Sequence, residues 1–84
     1  MAFNKSIEPI FDYGDAVIIK HTAPQKYKPG IRGCICGVRI IDSLETAVQF
    51  DQEIGSILCL IEFENGEAIE IPKNFLAHLS DLVA

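Results

Sequence analysis

Asn65-Gly66 stands between two apolar-rich stretches, 56–64 and 67–71, in which apolar and polar residues alternate. In that setting Asn-Gly is the strongest short hairpin signal, because a two-residue type I′ turn needs positive φ at both central positions. Side chains two apart in a strand share a face, so the hairpin puts Ile61, Phe63, Ile69 and Ile71 on one side. The apolar set is rich in β-branched residues, with thirteen isoleucines and four valines against six leucines. Such side chains are stiff at χ1 and suit a pleated surface, so a mostly β core is expected. A chain of 84 residues has room for one small core, which excludes an enzyme built on a cleft between two lobes.

The same patterns mark out the other elements. After a Tyr13-Gly14-Asp15 turn, residues 16–21 read as a first strand with Val17 and Ile19 on one face. Residues 22–32 hold two prolines, a glycine and three cations, a long loop of the kind that tends to be functional. Residues 33–41 form a second strand, in which Gly37 marks a bulge or a close backbone approach. Asp42 and Glu45 occupy capping-box positions ahead of Leu44 and Val48, predicting a short helix over 43–52, with a strand as the fallback. Strands over 56–64 and 67–71 follow, the latter stopped by Pro72, which lacks an amide donor. A 3₁₀ turn over 73–76 and a closing strand over 77–79 complete the domain, 13–84. Residues 1–12 read as an N-terminal arm laid over it.

Charge is segregated along the chain. Residues 16–41 carry Lys20, Lys26, Lys28, Arg32 and Arg39 and no acid, whereas residues 42–71 carry eight acids and no cation. Either the two signs pair across adjacent strands, or one sign forms a polar binding face. The net charge of −5 is the reverse of the usual nucleic-acid footprint. No apolar run reaches the length of a membrane span and the first ten residues show no signal pattern. Three cysteines, an odd number, fit a reducing compartment better than a disulfide scaffold. A cytoplasmic location is therefore expected.

Several stretches carry a family likeness. Gly14-Asp15-x-Val17-x-Ile19, Tyr27-x-Pro29-Gly30-Ile31-Arg32-Gly33, Leu60-Ile61-Glu62-Phe63-x-Asn65-Gly66 and Ile71-Pro72 resemble the SH3-like barrel that forms the C-terminal domain of the nitrile hydratase β chain. Related small bacterial proteins, including immunity proteins of polymorphic toxin systems, share the likeness. It covers about residues 13–79. The resemblance implies a five-stranded SH3-like barrel with a short helical insert between strands 2 and 3. It implies no activity, since barrels of this shape host unrelated functions. Nitrile hydratase chemistry needs a second chain with a Cys-x-x-Cys-x-Cys metal claw, and this chain has only Cys34-x-Cys36. With no Trp and only Tyr13 and Tyr27, it also lacks the aromatic groove that binds proline-rich peptides.

No constellation in the sequence points to catalysis. Cys34 and Cys36 share a strand face and Cys59 lies on the neighbouring strand, but structural zinc pairs have two to four intervening residues. Buried free thiols acting as small hydrophobes are expected instead. No base or helix start activates a cysteine, and no acid is spaced to orient His21 or His78. Glu62, Glu64 and Glu70 recur at period two, as on any half-exposed strand. No metal and no cofactor are expected.

The apolar residues exceed what a barrel interior holds. With Val17, Ile19, Ile35, Cys59, Ile61, Phe63, Ile69 and Ile71 inside, period two sends Ile18, Cys34, Cys36, Leu58 and Leu60 outward. Such a patch is rarely left in water. The arm, through Phe3, Ile7, Ile10 and Phe11, the insert helix, through Leu44 and Val48, or another chain would cover it. The sequence is thus read as a small non-enzymatic protein-binding barrel of immunity or assembly type. Its partner is a protein or a second copy, held by Glu62, Glu64, Glu67 and Glu70 and by Ile18, Leu58 and Leu60. One alternative is an RNA-binding barrel using the loop 20–32, with Tyr27 between Lys26 and Lys28, and Arg32 alongside. A small oligomeric barrel enzyme is the other.

Overall fold

The computed structural model describes residues 10–82. Its regular elements are β1 (Ala16–Ile19), β2 (Arg32–Ile40), α1 (Leu44–Phe50), β3 (Ile57–Glu62), β4 (Ala68–Pro72) and β5 (Leu76–His78). Short 3₁₀ turns at Gln25–Tyr27, Lys73–Phe75 and Leu79–Leu82 punctuate them. All strand pairings are antiparallel, in one sheet ordered β4-β3-β2-β1-β5.

The sheet is open, which corrects the barrel expected from the sequence. β4 pairs with β3 and β5 with β1, and among the described residues no ladder joins β4 to β5. Closure requires strands long and staggered enough for the last to reach the first. Here β5 has three residues, all paired to β1, and β4 ends in Pro72, which has no amide hydrogen to offer. The fold is therefore a mixed α/β open sheet, and the SH3-like resemblance and the barrel-based functions lose their structural basis.

Local chemistry also differs from expectation at two turns. The β3–β4 connection is not type I′: Gly66 has φ of 88°, while Asn65 is not among the residues with positive φ. Gly66 N–H donates to Phe63 O and Phe63 N–H to Glu67 O. That is a three-residue loop whose left-handed position Gly66 fills, and the Asn65 side chain accepts from Glu67 N–H at 2.9 Å. At α1 the cap is Ser43, not Asp42; its hydroxyl accepts from Thr46 N–H at 3.2 Å, satisfying one of the free amides of the first turn.

One face of the sheet carries the main core, formed by Val17, Ile19, Ile35, Cys59, Ile61, Phe63, Ile71 and Leu76 with Ala23 and Tyr27 from the loop after β1. Ile69, expected inside, is half-buried and packs against its edge. In β2 the register slips between Ile35 and Gly37, where Ile35 faces Ile61 and Gly37 faces Leu60. Cys36 is the extra residue of this bulge, which bends the strand and keeps Ile35 on the core side. Gly33 lies against β3 so closely that an added Cβ would overlap Ile61 Cγ2 and stand 2.9 Å from Glu62 O.

The other face is covered at one end by α1, but not through the residues expected. Ala47 and the half-buried Phe50 pack on Ile41 and Leu58, making a second small cluster. Leu44 and Val48 point away into solvent. Of the expected arm, Phe3 and Ile7 lie outside the described residues. Ile10 is exposed, whereas Phe11 packs against the main core and stacks on His78 with ring centroids 4.4 Å apart.

Candidate functional site: an acidic groove beside α1

The seven-residue helix α1 presents two apolar stripes. Ala47, small enough for close approach to the sheet, is buried with Leu58 and Ile41. Leu44 and Val48 are one turn apart, hence on a common face, and are 71% and 72% exposed. The helix stops at Asp51, which takes the left-handed conformation with φ of 54° and sends its N–H back to Ala47 O and Val48 O, an end that suits Asp better than a branched residue. The chain then returns along the end of β2: Gly55 N–H donates to Ile41 O and Ile41 N–H to Ser56 O, both at 2.8 Å.

Between α1 and this returning loop lies a groove of about 550 Å³, apolar along Leu44, Ala47 and Val48 and polar along Asp51, Gln52 and Glu53. Exposed Ile40 and Ile54 flank the Gly55–Ile41 bond, each one residue away. Asp42, Glu45, Asp51 and Glu53 belong to the same end of the molecule, and none forms an ion pair among the described residues. The field of Asp51 reaches Tyr27, whose hydroxyl pKa is raised by burial first and by that carboxylate second. The result is an open groove, apolar on the helix side, with Asp51 and Glu53 on its polar side.

The acids and apolar residues singled out from the sequence are dispersed. Glu67 is ion-paired with Lys28, whose hydrogen bond holds its carboxyl below the usual range. Glu70 accepts from Arg39 Nε at 2.6 Å and from its Nη2 at 2.8 Å. Only Glu62 and Glu64 of the four hairpin acids are without such a partner among the described residues. Leu58 is fully buried under α1, which removes it from any docking surface, while Ile18 and Leu60 are half-buried.

The basic loop does not present a stacking platform. Tyr27 is buried and tilts against Phe75 at 5.8 Å between centroids. Lys26 lies over that same ring, Lys28 over Phe63, and Arg32 is exposed. Cys34 and Cys36 are exposed, on the outward side where period two placed them and not buried as free thiols were expected to be; Cys59 is inside, its pKa pushed up to about 11 by burial. Among the described residues no group of three or more His, Cys, Asp or Glu side chains is placed to hold a metal ion, and no helix is long and apolar enough to cross a membrane.

Sequence reasoning missed the groove because it assigned Leu44 and Val48 to the sheet. Two signals pointed to it: Ala47, the small residue between them, and the run 42–53, which holds four acids and no cation. No family model, curated protein or solved structure matches the chain, so the likeness to nitrile hydratase and immunity barrels gains no support from relatives either.

Proposed function

We propose that this chain is a non-catalytic protein-association domain that holds a basic, apolar segment of another protein in the α1 groove. The observation that carries this reading is the pairing of Leu44 and Val48, exposed on one helical face, with two acids of the same groove, Asp51 and Glu53, that form no ion pair among the described residues. Apolar side chains of the segment fill the groove and supply affinity, while its cations meet these acids and speed encounter. A second copy docked by two-fold symmetry would bring the same acids against each other, which argues for a separate basic partner.

The test uses a synthetic amphipathic helix of leucine and lysine, with its leucine-glutamate counterpart as control, followed by fluorescence anisotropy. The lysine peptide binds and the glutamate peptide does not. The double change Leu44→Ser, Val48→Ser, made at exposed positions, weakens binding at least about tenfold, whereas Glu64→Lys at the hairpin tip leaves it unchanged. Equal loss on Glu64→Lys would show mere attraction to a negative surface and overturn the reading. So would concentration-dependent dimers of the unmodified protein that Leu44→Ser, Val48→Ser abolishes.

A further inference from the structure

Cys34 and Cys36 are both exposed, two positions apart in β2, at the point where its register breaks. Cys59 is buried on the core side of β3. The three thiols therefore divide into an accessible pair and an inaccessible single residue. We propose that Cys34 and Cys36 are a redox-active dithiol that a low-molecular-weight disulfide converts to a Cys34–Cys36 disulfide. This site is independent of the α1 groove and does not rest on the proposed association function.

The backbone brings the pair to the limit of disulfide geometry. A strand rises about 3.2 to 3.4 Å per residue, so positions two apart have Cα atoms about 6.4 to 6.8 Å apart on a common face. Disulfides span Cα separations of about 4.4 to 6.8 Å. A regular strand thus sits at the upper edge of that window. The bulge adds freedom there: Cys36 faces no residue of β3, and a bulge bends its strand and increases the local twist. Being the unpaired residue, Cys36 also turns without breaking a cross-strand pair. A bridge closed so near the limit is strained and exposed, the combination that marks readily reduced disulfides as opposed to structural ones.

The exchange balances as follows. The thiolate of one cysteine attacks a sulfur of the small disulfide, expelling one thiolate and leaving a mixed disulfide on the protein. The second cysteine loses its proton and attacks the protein sulfur of that bond, expelling the second small thiol. Two protons and two electrons leave the cysteine pair, and the small disulfide ends as two thiols.

Glutathione disulfide is the probe, applied to the folded protein and quenched with acid before intact-mass measurement and peptide mapping. The expected product is lighter by two hydrogens, monomeric, bridged between Cys34 and Cys36, and returned to the dithiol by excess reduced glutathione. Cys34→Ser and Cys36→Ser each carry one glutathione instead, because the resolving thiol is gone. The proposal is overturned by a wild-type protein that retains two glutathiones, that links into dimers, that bridges to Cys59, or that stays unmodified while a small-molecule thiol reagent still titrates both exposed cysteines.

Discussion

The Lys28 ammonium is ion-paired with the Glu67 carboxylate, 39 residues away in sequence. It fastens the cation-rich first half of the chain to the acid-rich second half, and Arg39 does the same with Glu70. The segregation of charge in the sequence is therefore partly consumed in holding the loop after β1 and the strand β2 to the hairpin. Asp51 and Glu53 beside α1, and Glu62 and Glu64 of the hairpin, form no ion pair among the described residues.

A pH dependence follows from that pair. The Lys28 hydrogen bond and charge lower the Glu67 pKa from its ordinary 4.5. A carboxyl with a depressed folded pKa contributes stability that is present above its unfolded pKa and lost as pH falls through its folded value. Thermal melts taken between about pH 6 and pH 3 should show the unmodified protein losing its advantage over Lys28→Met as acid is added. A difference that stays constant across this range would show that the pair contributes nothing.

Gly33→Ala is expected to destabilise the sheet. The new methyl would overlap Ile61 Cγ2 and press on Glu62 O, and Ile61 is fully buried in the main core. Overpacking of this kind costs about 1 to 3 kcal/mol, read as a lowered denaturant midpoint. Gly55→Ala serves as a contrast: no atom crowds that Cβ, but φ of 98° there strains any L side chain.

Phe63→Ala should cost about 3 to 5 kcal/mol, a large part of what a domain of this size has to lose. Phe63 is 7% exposed, belongs to the main core, and lies beneath the Lys28 ammonium. A cooperative melt that does not shift would mean that the hairpin register is wrong.

Removing the α1 cap with Ser43→Ala should cost about 1 kcal/mol, because Thr46 N–H loses its acceptor. Circular dichroism and hydrogen exchange over Leu44–Phe50 provide the readout. Fraying of this helix should also expose Leu58, which it covers, and raise exchange at β3.

Cys59 should react with a small thiol reagent only when the protein unfolds. Burial holds its thiol at a pKa of about 11, so both access and the thiolate fraction are low at neutral pH. A thiol count of two in buffer and three in denaturant is expected, with the two assigned to Cys34 and Cys36. Three rapid reactions without denaturant would contradict the burial of Cys59.

Most strand positions were legible in the sequence because they rest on a local, period-two pattern. Val17 and Ile19, Ile61 and Phe63, and Ile71 reach the core as their spacing requires, and Gly37 marks the bulge in β2. The turn between β3 and β4 was legible in place and not in type, since both hairpin loops accept Asn65-Gly66 and a single residue of register separates them. The cap of α1 was misread for a similar reason: Asp42 and Ser43 are both good caps, and only the path of the incoming strand chooses between them.

The sequence by itself determined where the chain extends, where it turns, and which alternating residues leave water together. Only the tertiary structure decided that the sheet stays open, because closure depends on strand length, stagger and the partner chosen by β5, none of which is a local property. It also decided which stripe of α1 is buried. Leu44 and Val48 are more apolar than Ala47, but it is Ala47, with Phe50, that packs against Leu58 and Ile41. The same holds for charge: Lys28 and Arg39 reach acids 39 and 31 residues away, pairings that no local pattern of the sequence specifies.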